Sequence, residues 1–331
     1  MVELGLKEKR PKLLTYGFTD KYFGNEGGDY LENPKLPGLL ANVCNKARVK
    51  SREAITSLPS HRVATSVIAV MAPTDAELKL AVEVEAAKLI DYSIAEAVLD
   101  WRVLKEEIKE VVASGRAKPK VKKILVTITR KDLIQKYVDI FKKAGFVLKT
   151  LETESYALTR SLVGKDQSAI GIIDIGAERT NITVVHCSTP ILTRSISVGG
   201  FHLSKVIAEI MGLDINEAEE TKKDISRLGG WDKDSIPQGV KNLLAPIISE
   251  ARYSFDLFNK DEKKTIEKII LTGGSAFFPN LCEYFTKELG VKAFVGDPWA
   301  RVVYHEDLKG VLSEIGPRFS VAIGLAMREI E

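Results

Sequence analysis

The chain has only three cysteines in 331 residues, Cys44, Cys187 and Cys282, and no two of them form a C-x-x-C pair. That scatter removes a disulfide framework and a zinc site from consideration, and a reducing cytosol is expected. No apolar run approaches the ~18 residues that span a bilayer, and Met1-Val2-Glu3-Leu4-Gly5-Leu6-Lys7-Glu8 has no signal-peptide core. Any membrane association is therefore expected to come through a partner. Charge of either sign is not in excess. The 48 Lys and Arg against 45 Asp and Glu leave +3, so no strong field directs the chain to nucleic acid or an anionic membrane. The one basic stretch, Lys105 to Lys123, reads as a solvated loop before a strand. G-x-x-x-x-G-K-[ST], G-x-S-x-G and H-E-x-x-H are all absent. His61, His186, His202 and His305 lie far apart and receive no role.

What remains is an ordinary globular composition, 45% hydrophobic and 28% charged, with strand and helix signals alternating in an α/β manner. Val2 to Leu6 and Lys12 to Phe18 read as strands joined by a turn at Lys9-Arg10-Pro11. Leu36 to Val49 reads as a helix and Glu53 to Leu58 as a strand, followed by an extended run from His61 to Met71. Thr74-Asp75-Ala76-Glu77 has the pattern of a capping box, and Leu78, Val82, Ala86 and Leu89 share one helical face behind it. Ala97 to Leu104 and Lys123 to Thr129 are expected strands. Leu133, Ile134, Tyr137, Val138 and Phe141 form an amphipathic helix stopped at Gly145. From Glu152 a short helix precedes a strand ending at Asp174, which returns through Ile182 to Val185 and Ile191 to Ile196. Three helices then carry Leu203 to Ile210, Ala218 to Lys222, and Val240 to Phe258. They lead to a strand at Leu271, a helix between Pro279 and Gly290, and a last helix from about Arg318 to Ile330.

Two glycine turns, each directly after an apolar run, carry the functional signal. In Ile170-Gly171-Ile172-Ile173-Asp174-Ile175-Gly176-Ala177-Glu178-Arg179-Thr180 a strand delivers an Asp at its end. The small residues behind it let backbone N–H groups approach an anion. In Ile269-Ile270-Leu271-Thr272-Gly273-Gly274-Ser275 the paired glycines let the backbone lie flat against a planar ring. Either turn alone also reads as a plain hairpin turn. Together they suggest a nucleotide cleft.

Motifs along almost the whole length carry a family resemblance. They include Ser57-Leu58-Pro59-Ser60, Leu99-Asp100-Trp101, Leu151-Glu152-Thr153-Glu154 with Ala157 and Arg160, and Asp174-Ile175-Gly176-Ala177-Glu178. Further on come Gly199-Gly200, Ala218-Glu219-x-x-Lys222, and Glu250-x-Arg252-x-Ser254-x-Asp256-x-Phe258. Leu271-Thr272-Gly273-Gly274, Asp297-Pro298-Trp299 and Val321-Ala322-Ile323-Gly324-Leu325-Ala326 complete the set. In this order they resemble the actin-like ATPase superfamily and, within it, the PilM family of type IV pilus assembly proteins. The resemblance implies an α/β fold, an actin-like (ribonuclease-H-like) two-lobed core with an inserted α+β subdomain. Its division would be 1–60 as the first part of the core, 61–145 as the inserted peptide-binding subdomain, and 146–331 as the remainder of the core.

The same resemblance implies ATP and Mg²⁺ as ligands. Asp174 would hold Mg²⁺ through water, and Gly176, Ala177, Glu178, Arg179 and Thr180 would form the second phosphate-binding hairpin. Gly199 and Gly200 open the helix beside it. Gly273, Gly274 and Ser275 resemble the adenosine loop. Glu219 and Lys222 resemble the pair that meets ribose or adenine, the alternative being an i,i+3 surface ion pair. Glu154 falls where related ATPases orient attacking water and is the one candidate catalytic residue. The family's first phosphate loop, of the form D-I-G-x-x-S, has no counterpart here. Met1-Val2-Glu3-Leu4 opens in register with the family's second strand, and the natural protein is expected to be longer by about one strand and one loop. Turnover of ATP is left open by that departure. The implied role is a cytoplasmic, nucleotide-responsive scaffold that binds the N-terminal peptide of a PilN-like inner-membrane protein. It would link the pilus platform to other platform or motor proteins. Two alternatives are a cell-division protein of the FtsA type, which needs a C-terminal amphipathic membrane helix, and a small-molecule kinase of the same superfold, which needs a catalytic base and a substrate pocket.

Overall fold

A hairpin opens the chain, β1 (Val2–Lys7) with β2 (Arg10–Tyr16). Its turn is Glu8-Lys9, both left-handed at φ 52° and 62°, so Arg10 and Pro11 belong to the second strand and not to the turn expected from the sequence. Paired positive φ matches the twist of a two-residue hairpin, which is why the turn is this tight. Next come α1 (Leu36–Lys46), β3 (Glu53–Leu58), β4 (Ala64–Met71), α2 (Asp75–Ala87), β5 (Ala97–Val103), β6 (Val121–Arg130) and α3 (Lys131–Lys143). The extended run expected from His61 begins with a short 3-10 turn, Ser60–Arg62. β7 (Val147–Thr153) leads to α4 (Glu154–Leu158), which continues as a π-helical turn over Thr159–Val163. The rest is β8 (Ile170–Ile175), β9 (Thr180–His186), β10 (Thr189–Ile196), α5 (Gly200–Met211), α6 (Ile215–Lys223), α7 (Gln238–Glu262), β11 (Lys268–Thr272), α8 (Leu281–Leu289), β12 (Ala293–Val295), α9 (Lys309–Ile315) and α10 (Ser320–Met327). This computed structural model describes residues 1–20, 29–71, 75–104, 121–223 and 236–330. Thr74 of the expected capping box, and the basic stretch from 105 to 120, lie outside the described residues.

The larger sheet has the order β10-β9-β8-β11-β12 and places β8 at its centre. β8 runs antiparallel to β9 and parallel to β11, so Asp174 and Thr272 stand side by side at the ends of neighbouring strands. Helices cover both faces, which is why β8 is nearly all apolar instead of alternating. Phe255 of α7 presses on one face so closely that a β-carbon at Gly171 would fall 2.6 Å from its ring. Leu158, Leu162 and Val321 cover the other. Ile170, Ile172, Ile173 and Ile182 are all at 0% exposure, and each contributes about 2 kcal/mol by leaving water.

Three smaller sheets make up the rest: β1-β2, β3-β7 in parallel, and β4-β6-β5. α2 packs on the three-stranded sheet through Leu78 and Val82, against Ile68, Val70, Ile124 and Val126. α10 lies between the two halves. Its Val321 joins the cluster under β8, while Ala322 and Ile323 join Val2, Leu4 and Leu13 of the opening hairpin. α4 crosses α10 at backbone distance, because a β-carbon at Gly324 would stand 2.5 Å from the carbonyl carbon of Ala157.

Candidate functional site

The two glycine turns meet at one end of the β8/β11 pair. Gly273 has φ 90° and a β-carbon there would stand 2.6 Å from Asp174 Oδ1, so only glycine allows this approach. The first turn is closed by Gly176 N–H donating to Arg179 O at 2.9 Å. Behind it, Gly200 N–H donates to Gly176 O at 2.8 Å and Phe201 N–H to Ala177 O at 2.7 Å. A β-carbon at Gly199 would fall 2.7 Å from Ala177 O and Arg179 N. The N-terminus of α5 is therefore sewn to the back of the hairpin. Gly274 is exposed, and a β-carbon on it would meet only Arg318 Cγ at 3.9 Å, which leaves a flat open surface. Thr180, by contrast, is buried, and its hydroxyl donates to Val198 O at 2.7 Å, so it braces the hairpin from beneath.

Lys222 and Glu219 do pair, at 3.0 Å, but the pair is more than a surface bridge. The Lys222 ammonium also donates to Gly200 O at 2.9 Å and Ser204 Oγ at 2.8 Å, and the Ser204 hydroxyl donates to Glu219 Oε1 at 2.6 Å. A β-carbon at Gly200 would fall 2.5 Å from Ser275 Oγ and 3.4 Å from Lys222 Nζ. Hairpin, helix N-terminus, Lys222 and Ser275 thus form one contiguous wall.

Asp174 and Glu154 set the electrostatics. Glu154 Oε2 accepts from Ser60 N at 2.9 Å, Ser60 Oγ at 2.7 Å and Asn181 Nδ2 at 3.0 Å. Burial still pushes its carboxyl up, and those hydrogen bonds act in the opposite direction. Asp174 is half-buried, and no hydrogen bond reaches its carboxyl from the described residues. Burial, with the Glu154 charge added, pushes it up to about 7. A carboxylate without a donor, beside a second carboxylate, is a position where a cation relieves strain. The donor set therefore fits Mg²⁺ held by one carboxylate and water, with no all-protein cage, and among the described residues no group of three acidic, His or Cys side chains converges.

A second concavity, about 700 Å³, opens beside the three-stranded sheet. The turn at His61-Arg62, the segment from Lys88 to Tyr92 after α2, and Arg130, Asp132, Leu133 and Lys136 at the start of α3 line it. Its cations are held in place. Arg62 pairs with Asp29 at 2.8 Å, Arg130 lies 5.0 Å over the Tyr92 ring and 3.2 Å from Asp132, and Lys136 reaches Glu32 at 2.8 Å. Burial, then the charges of Arg179 and Arg62, pushes the His61 imidazole down. Arg179 belongs to the hairpin from Gly176 to Thr180, so the groove and the glycine turns lie within electrostatic reach of each other.

The fold thus brings Asp174, Gly176 to Arg179, Gly199, Gly200, Glu219, Lys222 and Gly273 to Ser275 to one region, with Glu154 at its edge. Sequence reasoning missed Ser60, Asn181, Ser204 and Arg318. Of these, only Ser60 stood in a quoted motif. Ser204 could have been found four residues after Gly200, one turn into the helix and on the same face.

The mixed sheet, the strand-end loops and the inserted three-stranded sheet define an actin-like α/β fold. The sequence profile of the type IV pilus assembly protein PilM matches residues 28–330. The chain belongs to the PilM family. In structure it is similar to the PilM–PilN type IV pilus biogenesis complex, with TM-score 0.82 and 25% identity, covering 100% of this chain and 95% of that one. The MreB5 protein of Spiroplasma citri, solved with AMPPNP, is a far looser likeness at TM-score 0.44 and 16% identity, over 59% of this chain and 63% of that one. Among curated proteins, the cell division protein FtsA of Borreliella burgdorferi is 24% identical over 223 residues, 60% of this chain. The chain spans about half, 52%, of that relative's length.

Proposed function

We propose that this chain is a nucleotide-responsive scaffold of a type IV pilus assembly platform, gripping the N-terminal peptide of a PilN-like membrane protein. The observation that carries the reading is the built groove at His61, Arg62 and Arg130, in a chain whose fold follows the PilM–PilN complex end to end. An extended peptide laid there would find apolar surface at Val63 and Leu133, with fixed cations on either side. Residues 61–145 would then be the peptide-binding subdomain, set into a core made of 1–60 and 146–331. Among the described residues no helix is long and apolar enough to cross a membrane. Attachment to the inner membrane from the cytoplasmic side would come through the partner.

In the cleft, Asp174 would hold Mg²⁺ through water, and the hairpin from Gly176 to Thr180 would face the phosphates of ATP. Gly273, Gly274 and Ser275 would lie along the adenosine, with Glu219 and Lys222 at the ribose. The bound metal would neutralise phosphate charge beside Asp174. The chain's own part is positional. Its turns are pre-shaped by the Gly176–Arg179 and Gly200–Gly176 bonds, so little backbone ordering remains on binding. Titration calorimetry of the full chain with a PilN-like N-terminal peptide tests the partner. Saturable binding lost in Arg130→Ala supports it, and unchanged affinity would move the peptide elsewhere. Mg-ATP titration of the same samples tests the cleft separately.

A further inference from the structure

Charge is unevenly spread over this chain. α1 and α3 end side by side, because Cys44 of α1 shares one apolar cluster with Val49 and Ala54 behind it and with Ala144 and Phe146 just past α3. That packing gathers six cations. Lys46 closes α1 and Arg48, Lys50 and Arg52 follow it, while Lys142 and Lys143 stand in the last turn of α3, and all six are exposed. The two sets are held together where Arg52 lies 5.8 Å over the Phe146 ring and its carbonyl accepts from Val147 N at 2.8 Å.

Elsewhere cations commonly have acidic partners, as Arg62 has Asp29, Lys136 has Glu32 and Arg194 has Glu250. Among the described residues none of the six has one. The carboxylates at this end are engaged otherwise: Glu3 accepts from the backbone N–H groups of Lys50 and Ser51 at 3.2 and 2.9 Å, Glu53 takes Lys149 at 2.9 Å, and Asp139 takes Gln135 at 2.9 Å. The patch stays positive. The negative ends of the two helix dipoles account for Lys46, Lys142 and Lys143, but not for Arg48 and Lys50, which lie past the helix. Arg48 even holds a left-handed backbone at φ 54°, where glycine or asparagine costs less. The sum of +3 conceals this concentration, since without the six the remaining Lys and Arg are outnumbered by the 45 Asp and Glu.

We propose that the joint end of α1 and α3 docks directly on the anionic headgroups of a lipid bilayer. Exposed cations on long, flexible stems suit a diffuse negative surface, which rewards charge density, better than one acidic side chain, which rewards a fixed geometry. Position favours the same occupant. α3 begins beside Arg130 of the groove and ends in the patch, ~20 Å further on at 1.5 Å per residue. In the reading proposed above, the peptide seated in the groove is tethered to a membrane, and a tether with a polybasic patch makes the two signals that stable attachment takes. That placement rests on the groove reading, whereas lipid binding by the patch does not.

The test is flotation of the full chain, without peptide, on vesicles of phosphatidylcholine alone and on vesicles with about one third phosphatidylglycerol. Binding is expected only to the anionic vesicles, and it should weaken about tenfold or more between roughly 50 and 300 mM salt. The triple variant Arg48→Asn, Lys50→Gln and Lys143→Gln should weaken it by about tenfold or more. Lys260→Gln, Lys287→Gln and Lys309→Gln together remove the same charge from exposed positions elsewhere and should leave it unchanged, as should Arg130→Ala in the groove. No flotation on anionic vesicles would overturn the docking surface, as would equal losses in the two triple variants or a loss in Arg130→Ala. Tighter capture by polyglutamate at matched charge would overturn it too, by making the occupant an acidic protein segment.

Discussion

Asp174 gives the cleft a pH signature. Its carboxyl, held up at about 7 by burial and by Glu154, sits well above the unfolded value of about 3.9. The native state therefore keeps a proton that the unfolded chain has lost between those values, and stability falls as pH rises through that window, by on the order of 1 kcal/mol per pH unit. Asp174→Asn removes the titration. Its melting temperature should exceed the parent's at pH 8 and match it at pH 4, as scanning calorimetry would show. Mg²⁺ favours the ionised form, so Mg-nucleotide affinity of the parent should rise with pH around 7 and release a proton, a dependence that Asp174→Asn flattens. Gly273 is the other sensitive position. Gly273→Ala adds a β-carbon at φ 90° against Asp174 and should cost about 1–3 kcal/mol in urea unfolding while weakening nucleotide binding.

Among the elements, the turn after α4, β7 and α10 are tied by one half-buried ion pair. Arg160 donates to both carboxylate oxygens of Glu152, at 2.7 and 2.9 Å, and to Gly324 O at 2.7 Å, with Arg328 a looser partner of Glu152 at 3.6 Å. Arg160→Met leaves the Glu152 carboxylate, 10% exposed, with Arg328 as its looser partner and should cost about 1–3 kcal/mol by denaturant titration, a loss larger than a surface pair gives. This pairing could be read only in part from sequence. Helices with a regular apolar stripe were legible: Val240, Leu244, Ile247, Ala251, Phe255 and Phe258 are all buried along α7. β7 was not, because Lys149 and Glu152 interrupt its apolar residues and most of it is half-exposed. β12 is three residues long and α9 carries one buried residue, so neither leaves a periodic trace. The glycine loops and Asp174 announced themselves by residue type. Ser60 and Asn181 did not, since their partner Glu154 lies 94 and 27 residues away and small polar side chains carry no pattern.

On the scale of the whole molecule, Glu154 links the groove to the glycine turns. It holds Ser60, next to His61 and Arg62 of the groove, and Asn181, next to the hairpin, while its charge acts on Asp174. If peptide and nucleotide are coupled, the coupling runs here. Peptide affinity measured with and without Mg-ATP should differ by about 5-fold or more in the parent and converge in Glu154→Gln. Equal affinities in the parent would remove the coupling. The short turn at Ser60–Arg62 also packs on β10, the edge of the sheet that contains Asp174. If the proposed membrane-anchored peptide seats at that turn, it would be a handle, and a pull on it would enter the molecule beside the strand-end loops. The scaffold would then behave as a tension gauge, with the dwell time of its nucleotide as the reading.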